Sequence, residues 1–413
     1  MRILWVKAGK ILPVDTGGKI RSFNLLRELA ARHQTTFLSY YSGAVDRDYE
    51  TDLVRKFPGA LAVHAGGAKG IVGETLNYAR HLPSPTPYAV QKFTSPRVRH
   101  LIEAGMRERR HDVIVCDFLS ASRNFPRELT TPTALFQHNV ESALWERQAS
   151  HEQQPLKRFV FGIEARKMAR YERAAVARFH HIIAVSQHDR DLMSTMTDAS
   201  RISVAPTGVD LGGYRGAADS EPTEPLVVFV GSMDWEANVD GVFWFHENVW
   251  PRIRSIVPAA KLRIVGRKPS TRVRKLADNL DVEVTGEVPS VVDHLAEAAA
   301  VIVPLRVGGG TRLKIYEAMA AGRAVVSTRV GAEGLDVNDG RDIILADEPQ
   351  AFADAVAGLL NDPTHRRSIA VAAAAQAARF DWPAVVRQFE TALARTIEDA
   401  SRHAGIASKA AFA

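Results

Sequence analysis

Short apolar runs rich in β-branched and aromatic residues alternate with longer helical patterns along almost all of the 413 residues. This alternation is typical of parallel sheets that are covered by helices. In the first half the runs are ILWV, TTFLSYY, DVIVCDF, TALFQH and HIIAVS. In the second half they are LVVFVGSM, KLRIVG, VEVTG, AVIVPL, AVVST and DIILA. The pattern predicts an α/β fold of two doubly wound, Rossmann-like domains, and we expect them to face each other across a cleft.

The chain is also too long for one core, because domains usually contain ~100–200 residues. The segment GVDLGGYRGAADSEPTEP has no apolar period and is rich in Gly, Pro and acidic residues, which is typical of a linker. We therefore predict a first domain over 1–206, a linker over 207–225 and a second domain over 226–383. A final helical pattern over 384–405 is expected to pack back on the first domain.

The composition, with 46% apolar and 24% charged residues, is that of an ordinary globular protein. No run approaches the ~18 apolar residues of a membrane helix, and MRILWV has no signal-peptide layout, so a cytoplasmic protein is expected. The single cysteine, Cys116, lies in an apolar run and is expected to be a buried thiol.

Charge is divided unequally between the two halves. Residues 1–210 contain 30 Lys and Arg against 21 Asp and Glu, and residues 211–413 contain 23 against 26. The basic half indicates an anionic partner, such as a membrane surface, a phosphorylated carrier or nucleic acid. A solvated basic surface is the alternative interpretation.

The segment PLRVGGGTRLKIYEAMAAGRAVVST contains a predicted strand that ends at Leu305, then three glycines, then a helix that begins near Thr311. A glycine-rich turn at a helix N-terminus binds phosphate through its N–H groups and the helix dipole. Arg312 and Lys314 add two cations, and Glu317 further along the helix can accept hydrogen bonds from both ribose hydroxyls of a nucleotide. The predicted amide donors are those of Gly308, Gly309, Gly310 and Thr311. A tight turn followed by a solvated helix face is the alternative for each residue taken singly.

With this segment the sequence resembles the retaining glycosyltransferases of family 4, in glycosyltransferase group 1, whose fold is called GT-B. The resemblance runs through nearly all of residues 1–395, is strongest over 300–335, and implies that the second domain holds the nucleotide sugar. Two glutamates separated by seven residues mark this helix in the family. Glu317 matches the second glutamate, but the first position is Gly309. The resemblance therefore implies that backbone amides, instead of a carboxylate, bind the sugar hydroxyls.

A second departure lies in VFVGSMDWEANVDG, where many family members place an arginine and a lysine that clamp the diphosphate. The corresponding positions here are Ser232 and Asp240, so we expect Arg312 and Lys314 to have taken over the clamp. The remaining residues expected near the nucleotide are Gly231, Arg267, Val288 and Leu313.

In the first half, KAGKILPVDTGGKIR places Gly17 and Gly18 between a strand and a helix that begins near Lys19. This resembles the family's first loop, whose glycines let the backbone approach the donor phosphate and the acceptor. A plain strand-to-helix connection is the alternative. His138 follows the run TALFQ at a position that resembles the histidine beside the transferred sugar, and a structural histidine is the alternative.

These residues together predict a glycosyltransferase that moves a hexosyl group from a UDP- or GDP-linked donor, without metal or cofactor. The resemblance to family 4 implies that the anomeric configuration is retained. The expected acceptor is a glycan, a lipid-linked substrate or another hydroxyl compound, and the basic half is expected to contact anionic membrane at its inner face. A non-hydrolysing sugar-nucleotide epimerase and a nonenzymatic sugar-nucleotide binding protein remain alternatives. Nucleic acid is not expected, because aromatic interleaving and a recognisable module are lacking.

Overall fold

The computed structural model describes residues 1–66, 77–152, 154–218, 220–307 and 312–411, without the side chains of residues 151 and 403–411. Contacts divide the chain into two compact units. Unit 1 contains Met1–Pro206 and Val385–Ala413, and unit 2 contains Thr207–Ala384.

Unit 1 has a parallel sheet of seven strands in the order β3-β2-β1-β4-β5-β6-β7. Its strands are β1 (Arg2–Ala8), β2 (Gln34–Tyr41), β3 (Leu61–His64), β4 (Val113–Asp117), β5 (Thr133–Phe136), β6 (His181–Ala184) and β7 (Ile202–Val204). Its helices include α1 (Gly17–Arg32), α2 (Arg47–Lys56), α3 (Tyr88–Gln91), α4 (Pro96–Arg107), α5 (Glu141–His151), α6 (Pro155–Arg178) and α7 (Gln187–Ser194).

Unit 2 has a parallel sheet of six strands in the order β10-β9-β8-β11-β12-β13. Its strands are β8 (Leu226–Val230), β9 (Lys261–Val265), β10 (Val282–Gly286), β11 (Ala300–Val303), β12 (Val325–Ser327) and β13 (Ile344–Leu345). Its helices include α8 (Leu211–Ala218), α9 (Glu236–Trp244), α10 (Trp250–Ile256), α11 (Thr271–Arg274), α12 (Val292–Glu297), α13 (Leu313–Ala320), α14 (Pro349–Asn361) and α15 (Pro363–Ala377).

The central strands of both sheets are apolar because helices bury both of their faces. β4 and β5 are buried along their whole length, as is β11 in unit 2. Strands that are covered on both sides produce continuous apolar runs without alternation, which is why the sequence contains them. Both strand orders are those of doubly wound sheets, so the predicted α/β class with two Rossmann-like domains is confirmed.

The last helix, α16 (Trp382–Ala411), begins in unit 2 and belongs to unit 1 from Val385 onward. Within unit 1, the ring of Phe389 stacks on Trp5 at 5.5 Å and meets Phe136 edge-on at 5.0 Å. Ten residues later, Asp399 Oδ2 lies 2.7 Å from His181 Nδ1 in β6. These contacts attach the C-terminal segment to the sheet of unit 1.

Over residues 207–225 the structure differs from the predicted linker. Its first part contains α8, and Tyr214 and Ala217 of this helix are buried in the core of unit 2. Tertiary burial of these two side chains outweighs the poor helix propensity of Gly212, Gly213 and Gly216.

None of the helices within the described ranges is both long enough and apolar enough to span a lipid bilayer.

Candidate functional site

Two clusters of polar side chains lie where the strand order of each sheet reverses. In unit 1 the reversal is between β1 and β4, which end in Lys7–Ala8 and Asp117. In unit 2 it is between β8 and β11, which Gly231 and Pro304 follow. In open α/β sheets ligands bind outside the carboxyl ends of the strands at this reversal. Both clusters therefore occupy the place where a ligand is expected.

Asp117 is the centre of the cluster in unit 1. Its carboxylate is fully buried and accepts hydrogen bonds from Trp5 Nε1 at 2.9 Å, Lys7 Nζ at 3.0 Å and His138 Nε2 at 2.8 Å. Burial alone would raise the pKa of Asp117, but the charge of Lys7 and the contact with His138 lower it below its ordinary value. Asp117 is therefore an anion whose hydrogen bonds fix three neighbouring side chains.

His138 presents one bare nitrogen in this cluster. Because the Asp117 carboxylate only accepts hydrogen bonds, Nε2 carries the proton and Nδ1 keeps its lone pair. Nδ1 is buried without a hydrogen-bond partner in the described part of unit 1. The imidazole stacks on Phe118 with ring centres 3.7 Å apart, and Phe118 has a left-handed φ of 74°. His138 is thus a rigidly held hydrogen-bond acceptor.

Gly18 lies directly against this stack. A Cβ atom at position 18 would lie 2.8 Å from Phe118 Cζ and 3.6 Å from His138 Nδ1. Gly17 is the first residue of α1, two residues before the predicted start at Lys19. The structure therefore brings Gly17, Gly18 and His138 together, at the N-terminus of α1.

The loop that carries His138 is anchored by Glu172 of α6. The buried Glu172 carboxylate accepts hydrogen bonds from Gln137 Nε2 at 3.0 Å, the Glu141 backbone N–H at 2.8 Å and the Ser142 backbone N–H at 2.9 Å. A carboxylate at a helix N-terminus satisfies free N–H groups and interacts favourably with the dipole. Burial and the neighbouring Glu172 raise the pKa of Glu141 to about 7.

We expect His138 to make unit 1 sensitive to acid. Burial lowers the pKa of His138 from 6.5 to about 3, against the opposing effect of Asp117. The unfolded chain takes up a proton below pH 6.5 while the folded chain does not, so stability is lost between pH 6.5 and about 3. His138→Gln should lessen the decrease in unfolding free energy between pH 7 and pH 5, measured by urea denaturation. An identical decrease in the variant would contradict this assignment.

Lys314 is the centre of the cluster in unit 2. Its Nζ donates to Asn238 Oδ1 at 2.7 Å and lies 4.5 Å from the centre of the Phe229 ring. A Cβ atom on Gly231 would lie 2.7 Å from the same Nζ. Burial, followed by the charge of Arg312, lowers the pKa of Lys314 to about 7, while Glu317 opposes the shift. The ammonium group is therefore held beside the turn that follows β8.

Arg312 immediately precedes α13, which begins at Leu313 instead of at the predicted Thr311. Arg312 has a left-handed φ of 49°, and its side chain is 3% exposed with Nη2 3.6 Å from Glu333 Oε2. The predicted amide donors Gly308, Gly309, Gly310 and Thr311 lie outside the described residues.

Glu317 lies one turn after Lys314 on α13 and is half-buried. Burial raises the pKa of Glu317, whereas Tyr214 and Lys314 lower it. Tyr214 belongs to α8, so the segment predicted to be a linker supplies a neighbour of this carboxylate. The hydrogen bond from Tyr214 and the charge of Lys314 favour the ionised carboxylate, whose two oxygens accept hydrogen bonds.

The other predicted residues of unit 2 lie in the segments that follow β9, β10 and β11. Arg267 Nε donates to Ser232 Oγ at 3.0 Å, and Leu313 is half-buried as the first residue of α13. Val288 follows β10 and packs against the core. Asp240 is paired with Arg306 through two hydrogen bonds, one of them 3.0 Å long. Asp240, at the position of the clamp lysine of many family members, is therefore paired with the cation of Arg306.

Two family models match the chain. The model described as Glycosyltransferase Family 4 matches residues 16–212, and the model described as Glycosyl transferases group 1 matches residues 224–362. Together they cover most of both units. The chain belongs to glycosyltransferase family 4.

Two curated relatives are similar over part of the chain. An uncharacterized 44.6 kDa protein in the cps region of Klebsiella pneumoniae is 30% identical over 31% of this chain and 35% of its own length. D-inositol 3-phosphate glycosyltransferase 2 of Catenulispora acidiphila is 29% identical over 49% of this chain and 52% of its own. The chain thus spans about a third to a half of the length of these relatives.

The fold is shared with solved structures at low sequence identity. The crystal structure of Anabaena Alr3699/HepE in complex with UDP-glucose is 16% identical, with a TM-score of 0.61 over 95% of this chain and 99% of that chain. This likeness agrees with the predicted GT-B fold.

Sequence reasoning missed Lys7 and Asp117 in unit 1 and Asn238 in unit 2. Each of the first two is a charged residue at the carboxyl end of an otherwise apolar strand, WVK and VCD, and this signal could have identified them. Asn238 has no such signal, because its role depends on the side chain of Lys314, 76 residues later.

Proposed function

We propose that this chain is a retaining, metal-independent hexosyltransferase that uses a nucleoside diphosphate sugar, UDP- or GDP-linked. The observation that carries the proposal is the Lys314 ammonium, held beside Gly231 with Arg312 as its charged neighbour. Cations at the carboxyl ends of parallel strands suit a diphosphate. Membership of family 4 and the likeness to a protein that binds UDP-glucose support the same ligand.

The proposed role of these cations follows from the charge that develops in the reaction. When the glycosidic bond to the diphosphate breaks, negative charge grows on the leaving phosphate and the sugar becomes oxocarbenium-like. Lys314 and Arg312 stabilise this charge without a metal ion, and Glu317 accepts hydrogen bonds from the ribose. By the family resemblance, the leaving phosphate takes the proton of the acceptor hydroxyl on the same face, so the anomeric configuration is retained.

In unit 1, His138 is proposed to orient a bound sugar. Its neutral imidazole cannot donate from Nδ1, so it accepts a hydrogen bond from a sugar hydroxyl. Stacking on Phe118 and the hydrogen bond to Asp117 keep the ring in place before the sugar binds. A fixed acceptor of this kind loses little entropy on binding.

We propose an anionic or lipid-linked hydroxyl acceptor at the membrane surface. The basic first half supports this choice, as does the similarity to enzymes named for D-inositol 3-phosphate. At the start of α6, Leu156 and Phe159 are 76% and 63% exposed, and the exposed cations Lys157 and Arg158 lie between them. Exposed apolar side chains beside cations suit an anionic lipid surface.

A ligand screen tests the proposed donor. Among nucleoside diphosphates and their sugars, a true ligand at ~100 times its dissociation constant should raise the unfolding free energy by ~2.7 kcal/mol. Incubation with the binding donor and candidate acceptors, with and without EDTA, should then give an α-linked product from an α-linked donor. Formation of an epimer without acceptor, or binding without any transfer, would overturn the proposal.

Flotation with vesicles tests the proposed membrane contact. The protein should float with vesicles rich in phosphatidylglycerol but not with pure phosphatidylcholine, and Leu156→Ser combined with Phe159→Ser should abolish flotation. Val371→Ser, which changes an exposed apolar residue of unit 2, should have no effect. Flotation of the double variant equal to that of the wild-type protein would show that α6 is not part of the membrane contact.

A further inference from the structure

Asn238 connects Lys314 to the turn after β8. Asn238 is 2% exposed, and its Nδ2 donates to the Ser232 backbone carbonyl at 2.7 Å while its Oδ1 accepts from Lys314 Nζ at 2.7 Å. The Ser232 carbonyl oxygen can only accept a hydrogen bond, and the Lys314 ammonium group can only donate one. These two partners therefore fix the orientation of the Asn238 amide. Asn238 itself is held by a hydrogen bond from its backbone N–H to the Trp235 carbonyl.

Gly231 leaves the space that this arrangement needs. A Cβ atom at position 231 would lie 2.7 Å from Lys314 Nζ and 2.8 Å from Asn238 Nδ2. Both distances are shorter than van der Waals contact, so any side chain at this position displaces the ammonium group or the amide. Lys314 is therefore confined by Gly231, Asn238 and the Phe229 ring.

We propose that Asn238 is a positioning residue, which aims the Lys314 ammonium at the donor diphosphate without neutralising its charge. The inference rests on the proposed function, because it takes the diphosphate as the partner of Lys314. A carboxylate at position 238 would make the same hydrogen bond, but it would cancel the positive charge that the diphosphate requires. A neutral amide fixes the position of the cation and leaves its charge available.

A coupled proton uptake follows from this arrangement. Burial and Arg312 bring the pKa of Lys314 to about 7, so part of the population is neutral near neutral pH. A bound diphosphate favours the charged amine, so nucleotide binding takes up a proton. Above pH 7 the dissociation constant for UDP should therefore rise by up to ~10-fold per pH unit.

The test uses the full chain and the variant Asn238→Asp, with Asn248→Asp as the matched control. Asn248 is an exposed residue ten positions further along, where its amide bonds the Trp244 carbonyl. UDP affinity is measured by calorimetry from pH 6 to pH 9, and the pH dependence of Lys314 acylation by acetic anhydride is followed by mass spectrometry. Asn238→Asp should weaken UDP binding ~10-fold or more at pH 6 and move the acylation midpoint to higher pH. Asn248→Asp should have the UDP affinity and the acylation midpoint of the wild-type protein.

A second variant tests the position of the Lys314 ammonium group separately from its charge. Gly231→Ala leaves the charges of Asn238 and Lys314 unchanged, but its Cβ intrudes on the space of the ammonium group and the amide, so UDP affinity should decrease. The Tm of the variant shows whether it folds. Unchanged UDP affinity in both Gly231→Ala and Asn238→Asp would overturn the proposal, as would an unshifted acylation midpoint in Asn238→Asp. If UDP and GDP fail to bind the wild-type protein while the midpoint still shifts, the contact between Asn238 and Lys314 stands and the proposed donor is wrong.

Discussion

Lys314→Met is expected to lower kcat/KM for the donor sugar by ~10²–10³, the usual loss when one preorganised charge-stabilising group is removed. Methionine keeps the length and apolar body of the side chain, so the fold of α13 should survive and the loss should reflect the missing charge. Steady-state kinetics and UDP calorimetry measure the effect. Lys275→Met, which changes an exposed lysine of the same unit, is the control and should behave like the wild-type protein.

The same substitution distinguishes the two cations of the cluster. Arg312 is 3% exposed beside Glu333 and precedes α13 with a left-handed backbone, so its replacement affects both folding and charge. Lys314 is half-buried and donates to the neutral amide of Asn238, so its replacement affects mainly the charge. Full turnover in Lys314→Met would therefore contradict the proposed clamp more directly than any result with Arg312.

The fold could be predicted well from the sequence because the apolar runs of a doubly wound sheet are local signals. All six strands of unit 2 coincide with predicted runs, from LVVFV to IL. In unit 1, β3 and β7 were not predicted, because these edge strands, LAVH and ISV, lack the long apolar runs of the central strands. Helix α8 was missed because the glycines in its sequence are typical of a linker, whereas tertiary burial of Tyr214 and Ala217 stabilises the helix.

The site was predictable only where its chemistry is carried by neighbouring residues. Arg312, Lys314 and Glu317 lie on one short segment, and Gly17 and Gly18 lie on another, so both groups could be proposed from neighbouring residues of the sequence. The bond between Lys7 and Asp117 joins residues 110 positions apart. Each residue can be recognised as a charge at the end of an apolar strand, but nothing in the sequence shows that the two are bonded to each other. Parallel strands bring such residues together because their carboxyl ends meet at one edge of the sheet.

Asp117→Asn is expected to impair both stability and turnover. Removing one partner of a buried ion pair leaves Lys7 uncompensated, which costs about 3–5 kcal/mol of unfolding free energy. The new amide can also donate to His138 Nε2, which forces the proton onto Nδ1 and replaces the acceptor by a donor. The lost hydrogen bond to the sugar should lower kcat/KM by about 10–10².

Asp399→Asn is the matched control for the effect on turnover, because Asp399 also pairs with a buried histidine of unit 1, His181, at 2.7 Å. His181 lies at the start of β6, whereas His138 follows the end of β5. The control pair therefore lies at the amino ends of the parallel strands, opposite the end where His138 lies. Both variants should lose stability in urea denaturation, but only Asp117→Asn should lose turnover and show the proton on Nδ1 by nitrogen NMR. Equal losses of turnover in the two folded variants would mean that Asp117 supports the unit without orienting His138.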